Sequence, residues 1–196
     1  MTISMTTCMT RLPGVSSLLL SLAMGFAMPA YAALDIGQVA PKFRAPAALA
    51  GKPFVFSLAA ALAKGPVVLY FFPAAFSQGC SIEAHEFAEA IEKFQALGAS
   101  VVGVSTDDID TLSKFSSQAC QGKFPVASDE SRAITHSFDA AMQTRPDFAN
   151  RISYVIAQDG SVAFYYLSLN PTRHVEKTLD ALRALQRTGP AKPASN

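Results

Sequence analysis

The residues with the most chemical reach in this 196-residue chain are its three cysteines, Cys8, Cys80 and Cys120. Cys80 stands inside YFFPAAFSQGCSIEAHEF, residues 70–87, where an apolar run enters a proline loop and an amphipathic stretch begins at the cysteine. A cysteine in the first turn of a helix faces unpaired backbone N–H groups and the positive end of the helix dipole. Both favour the thiolate, which is the nucleophilic form. The alternative is a small buried hydrophobe. That role requires neither Gly79 before the cysteine nor the Ser77 hydroxyl three residues back. Cys80 is therefore predicted to be a nucleophile. The cysteines are too few for a disulfide scaffold and too far apart for a zinc motif. His85, His136 and His174 form no i, i+4 ligand pair and read as surface or packing residues. No glycine-rich phosphate loop appears. The expectation is an enzyme with no metal and no cofactor.

The first 32 residues read as a secretory address. They hold one charged side chain, Arg11, followed by an apolar stretch over 15–28, then Pro29 and Ala30-Tyr31-Ala32. A basic start, a short apolar core and a small-x-small site are the parts of a signal peptide. A 14-residue helix covers about 21 Å, short of a hydrocarbon core of roughly 30 Å. Cleavage is expected after Ala32, giving a periplasmic protein with no stable membrane association. An uncleaved anchor is the alternative. The remaining chain has balanced charge, with fifteen basic and fifteen acidic side chains. That balance excludes the basic face of a nucleic-acid binder. In an oxidising compartment, two remaining cysteines also permit a plain structural disulfide.

The elements that must position Cys80 follow from hydrophobic patterning. Residues 33–49 read as an extended lead-in and 52–58 as a short strand, with a helical turn over 58–64. VVLYFF (67–72) and SVVGVS (100–105) are continuous apolar runs, as in strands buried on both faces. A single helix is predicted over 80–97. Phe87, Ala90, Ile91, Phe94 and Leu97 form its inward stripe, with Glu83, Glu86, Glu89, Glu92 and Lys93 outside it. Asp107 or Asp108 caps a helix ending near Ala119, and a strand over 124–127 precedes a short helix ending at His136. Residues 140–150 read as a loop. Asp159-Gly160 signals a hairpin between strands at 152–157 and 161–167. Asn170-Pro171 opens a last helix, and residues 188–196 read as a disordered tail. The pattern predicts one α/β domain over 33–187. Its sheet would be parallel in the first half and antiparallel at one edge, with helices on both faces.

Pro73-x-x-x-Ser77-x-x-Cys80 with Glu83 three residues on, and Arg151 opening RISYVIAQDG, resemble the peroxiredoxin family. Gly37-x-x-Ala40-Pro41-x-Phe43 and Gly103-Val104-Ser105-Thr106-Asp107 are similar to its opening and middle. The resemblance covers about 34–185 and implies a thioredoxin-like fold, a central mixed sheet with helices on both faces. It implies a thiol peroxidase whose Cys80 becomes a sulfenic acid. Arg151 would hold thiolate and peroxide together, Ser77 would donate a hydrogen bond to them, Pro73 would shield the sulfur, and Glu83 would position Arg151. The Q-type branch places a resolving cysteine in the helix after the second buried strand, which implies that role for Cys120; inert and intermolecular roles remain alternatives. Position 85 is a histidine, which excludes a partner five residues after Cys80. The implied partners are a hydroperoxide substrate and a periplasmic thioredoxin-like reductant, with the protein a monomer. A disulfide exchanger would need a second cysteine at Cys-x-x-Cys, which is missing here. A secreted redox-sensing or binding module without turnover is the rival reading.

Overall fold

A computed structural model describes residues 1–2 and 33–188. The predicted signal segment with Cys8, and the predicted tail beyond Thr188, lie outside the described residues.

The chain opens with a hairpin, β1 (Arg44–Leu49) and β2 (Lys52–Ser57), joined by Ala50-Gly51 with both residues at positive φ. The predicted extended lead-in therefore contains a strand. Pro46 stands in the middle of β1, a position that argues against a strand in sequence. A helical turn, α1 (Leu58–Leu62), leads to β3 (Val67–Phe71). Then come α2 (Gln78–Glu89), α3 (Ile91–Ala96), β4 (Ser100–Ser105), α4 (Ile109–Gln118), β5 (Val126–Ser128) and α5 (Ala133–Ser137). A small hairpin, β6 (Ala141–Met142) and β7 (Arg145–Ala149), occupies the predicted loop. The main hairpin, β8 (Ile152–Ile156) and β9 (Val162–Leu167), precedes a 3-10 turn, Pro171–Arg173, and α6 (His174–Thr188).

Seven strands form one sheet in the order β2-β1-β5-β4-β3-β8-β9. β3, β4 and β5 run parallel in the centre. Both flanks are antiparallel, β1 and β2 on one side and β8 and β9 on the other. The predicted single antiparallel edge is thus corrected to two. Parallel strands need crossover helices, and α2–α3 and α4 supply them. Every residue of β3 is buried, as a central strand requires. Its side chains alternate: Val67, Leu69 and Phe71 enter one core with α1 and α5, while Val68, Tyr70 and Phe72 enter the other with α2, α3, α4 and α6. Helices on both faces are as predicted.

The Tyr70 ring fastens α2 to the sheet. It stacks on Phe87 with centroids 4.5 Å apart and lies over Gly103, its partner on β4. A Cβ at Gly103 would come within 2.9 Å of that ring. The predicted helix over 80–97 is two helices. They meet at Ala90, where φ −94° and ψ 0° leave the helical basin. The apolar stripe runs through the break, with Phe87, Ala90, Ile91 and Phe94 all buried, so periodicity does not reveal it. Gly98 ends α3 at φ 68°, a left-handed position where glycine carries no Cβ penalty.

Candidate active site

The buried end of β3 delivers the chain into the loop that begins at Pro73, and α2 starts again at Gln78. Asp107 pins this loop from the end of β4: its Oδ2 accepts from the Ala75 N–H at 2.7 Å and the Ser105 hydroxyl at 2.5 Å. Asp108 is the residue that caps α4, accepting from the Thr111 N–H at 2.8 Å. The two adjacent aspartates that looked interchangeable in sequence thus have separate tasks. Phe76 holds the loop with φ 61° and rests edge-on against Phe115. A left-handed conformation at a residue with a Cβ costs about 1–2 kcal/mol, so the turn before Cys80 is strained.

Ser77 is the N-cap residue of α2, so Cys80 is the third residue of the helix. At this position the backbone N–H has no intrahelical acceptor. Cys80 is buried to 1% exposure. Arg151, immediately before β8, is also buried, and its guanidinium meets three partners. Nη2 donates to Cys80 Sγ at 3.4 Å, Nε donates to the Leu169 carbonyl at 3.1 Å, and Nη1 pairs with Glu83 Oε2. Gly79 leaves the space for this: a Cβ there would stand 3.0 Å from Arg151 Nη2. Burial works against the charge on Arg151, but Glu83 and Cys80 more than offset it and raise its pKa. The guanidinium is a permanent cation in contact with the sulfur.

Of the predicted site residues, Cys80, Arg151 and Glu83 come together. Pro73 is half-buried in the loop that precedes them. The Ser77 hydroxyl donates to the Ala74 carbonyl at 3.0 Å, a turn contact that secures the loop. Glu83, predicted on the outer side of its helix stripe, is fully buried. Burial pushes its carboxyl up to about 8, with the Arg151 charge and hydrogen bond opposing.

A histidine read as a surface or packing residue also reaches this cluster. His174, the first residue of α6, is fully buried. Its Nε2 lies 2.9 Å from the Ser168 carbonyl, and its Nδ1 lies 2.8 Å from Ser153 Oγ and 3.4 Å from Glu83 Oε1. Burial pulls its imidazole down to about 4. The Asn-Pro cap at 170–171 was the one sequence signal that placed a helix start there. Nothing in the sequence ties His174 to Glu83.

Cys120 is also buried and carries no disulfide. It follows the end of α4, just before Gln121 and Gly122, both at positive φ. Its neighbours include Tyr70, Phe115 and Phe124 in the apolar core. Burial raises its thiol pKa strongly. From this turn, Gln121 Nε2 reaches His85 Nδ1 at 2.9 Å and Glu89 Oε1 at 3.1 Å on the outer side of α2. Lys123 adds an ion pair to Glu89 at 3.9 Å. The turn that carries Cys120 is thereby latched to the helix that carries Cys80. Among the described residues, no cluster of three or more His, Cys, Asp or Glu could hold a metal ion.

Comparison with known proteins agrees with this geometry. Residues 36–165 match the model of the AhpC/TSA family. Chloroplastic peroxiredoxin Q of Populus jackii is 33% identical over 121 residues, 61% of this chain and 56% of that protein. The Arabidopsis thaliana peroxiredoxin Q is 33% identical over 118 residues, 60% of this chain and 54% of that one. The chain thus spans about half the length of these curated relatives. Among solved structures, peroxidoxin BcpB of Mycobacterium tuberculosis superposes with a TM-score of 0.70 at 29% identity, over 78% of this chain and 98% of that one. AhpC of the same organism gives 0.71 at 21% identity over 80% and 96%, a likeness of fold. The chain belongs to the AhpC/TSA family, with the thioredoxin-like fold of its members, and its likeness is to the Q-type peroxiredoxins.

Proposed function

We propose that the protein is a thiol-dependent peroxidase that reduces hydrogen peroxide or organic hydroperoxides at Cys80. The observation that carries this is the Arg151 guanidinium set 3.4 Å from Cys80 Sγ, at the N-terminal turn of α2. The sulfur lone pair forms an S–O bond to one peroxide oxygen while the O–O bond breaks. The hydroperoxide proton passes to the departing oxygen, leaving water or an alcohol and a sulfenate on Cys80. Negative charge moves from sulfur towards the departing oxygen. A fixed cation and the helix N–H groups stabilise that shift most where water is excluded. Exposed Phe76 and Ile82, in the same loop and helix as Cys80, offer apolar surface that suits an organic hydroperoxide as well.

Cys120 is the proposed resolving thiol. Its sulfur attacks the protonated sulfenic acid, an S–S bond forms and water leaves. An external thioredoxin-like dithiol then returns both thiols and is itself oxidised. A buried thiol with a raised pKa is a poor nucleophile. Disulfide closure also requires Cα atoms within about 7 Å. The Cys120 turn and the first turn of α2 therefore open during the cycle. The N-terminal apolar segment with its Ala-x-Ala site supports export to the periplasm with cleavage after Ala32, and the Q-type likeness supports a monomer.

The test is peroxide consumption by the protein lacking residues 1–32, with dithiothreitol as reductant. Many turnovers per protein are expected, with none in Cys80→Ser. One peroxide equivalent should also give a Cys80–Cys120 linkage by non-reducing mass analysis. Consumption that stops after one equivalent despite excess dithiothreitol would mean a sensor and not an enzyme.

A further inference from the structure

The His174 ring sits in a hydrogen-bond frame that fixes its tautomer. A backbone carbonyl only accepts, so the contact to Ser168 requires the proton on Nε2. Nδ1 then carries the lone pair of the neutral ring, which accepts from the Ser153 hydroxyl. Glu83 Oε1 faces the same lone pair at 3.4 Å, is buried, and has no hydrogen-bond partner. If the carboxyl were ionised, two lone pairs would oppose each other in a buried site. One proton between them turns the contact into an attraction.

Charge counting leads to the same place. Arg151 is the cation in contact with both Glu83 and Cys80. A carboxylate and a thiolate together would leave this buried cluster with one uncompensated negative charge, which is strongly unfavourable. With a neutral carboxyl, Arg151 and the thiolate balance. The other ionisable groups around the pair do not supply a second cation. Tyr70 on β3 lies near Glu83 and is itself neutral, its pKa raised by burial. Glu86, three residues after Glu83 on α2, is another acid and acts on Glu83 to raise its pKa. Tyr166 on β9 packs edge-on against the His174 ring at 4.8 Å.

The geometry points to a proton shared by Glu83 and His174, which keeps the carboxyl beside Arg151 neutral and so reserves the guanidinium charge for Cys80. His174 is thus a positioning residue that acts through Glu83 and touches neither the sulfur nor the substrate. The proton resides on Glu83: burial pushes that carboxyl up to about 8, while burial, with Arg151 adding to it, pulls His174 down to about 4. This assignment rests on the peroxidase reading for the purpose of the charge on Cys80, but the location of the proton does not.

Infrared difference spectroscopy at pH 7 separates the two. The protein should show the carbonyl stretch of a buried protonated carboxyl, and Glu83→Gln should remove it. His174→Gln offers Glu83 an amide donor in place of an acceptor nitrogen, so the band should be lost at neutral pH. In the same variant the pH profile of Cys80 alkylation, followed by peptide mass, should move up by about one pH unit, a tenfold shift in that equilibrium. His174→Phe gives no donor and should retain the band, which shows that the loss in His174→Gln comes from the added donor and not from lost packing. Absence of the band in the unmutated protein overturns the proposal, as does an unchanged band and alkylation profile in His174→Gln. A band that is present in a protein without peroxide turnover leaves the shared proton standing and removes the peroxidase reading.

Discussion

Cys80 and Cys120 are buried to the same degree, 1% and 0% exposed, yet they sit at opposite kinds of helix end. Cys80 is in the first turn of α2, where the dipole favours an anion, and a guanidinium touches its sulfur. Cys120 lies past the C-terminus of α4, where the dipole disfavours an anion, inside an aromatic cluster without a cation. Burial alone therefore does not set thiol reactivity. What separates these two cysteines is the charge arranged around each sulfur. Under the proposed mechanism the same contrast divides the labour: one thiol reacts where it stands, and the other only when its turn is released.

The sharpest way to break this contrast is to remove each sulfur in turn. Cys80→Ser should abolish peroxide turnover with dithiothreitol. Cys120→Ala should retain most of it, because a small thiol can reach Cys80 directly. In that variant excess peroxide should instead accumulate sulfinic acid on Cys80, a gain of two oxygens by mass. Equal loss in both variants would erase the distinction.

A smaller effect appears in stability against pH, where the Cys80 surroundings titrate. Glu83 binds its proton more tightly in the folded than in the unfolded chain. Its contribution is complete below pH 4.5 and is lost as pH rises to about 8. His174 binds its proton less tightly when folded, so its contribution is lost as pH falls from 6.5 to about 4. Between pH 4.5 and 6.5 the two slopes oppose each other. Between 6.5 and 8 only the Glu83 decline remains, at roughly 1 kcal/mol per pH unit. Urea unfolding from pH 5 to 8.5 should show that decline in the unmutated protein, and Glu83→Gln should flatten it. A stability that rises through the 6.5–8 window would contradict the neutral carboxyl.

The smallest effect belongs to the latch between the two regions. Gln121→Ala removes the contacts to His85 and Glu89. Exposed polar contacts of this kind contribute about 0–1 kcal/mol, so disulfide closure after one peroxide equivalent should quicken by up to about fivefold. Quenched-flow mass analysis of the Cys80–Cys120 linkage reads this directly. An unchanged closure rate would mean that opening is controlled elsewhere.

Much of this architecture is legible in local sequence. VVLYF and SVVGVS announce the central strands, Asp159-Gly160 the main hairpin, and Asn170-Pro171 the start of the last helix. The strand β1 is hidden by Pro46, and β7 by Pro146, because a proline within a short run argues against pairing. The break at Ala90 is hidden because the apolar stripe continues across it. Cys80 and Arg151 could be placed from motif resemblance, and their contact follows from the fold. Glu83 and His174 could not be understood alone. On its own helix Glu83 looks solvated, and its buried partner Arg151 lies 68 residues away. The chemistry of His174 comes from Ser153, Ser168 and Glu83, which belong to three other parts of the chain.

In the proposed mechanism the Arg151 charge makes Cys80 reactive towards peroxide. Stopped-flow mixing of the reduced protein with hydrogen peroxide at pH 7, comparing the unmutated chain with Arg151→Met, tests it most directly. The second-order rate should fall by about 10²–10³ in Arg151→Met, the usual loss when one stabiliser of transition-state charge is removed. Equal rates in the two proteins would contradict it.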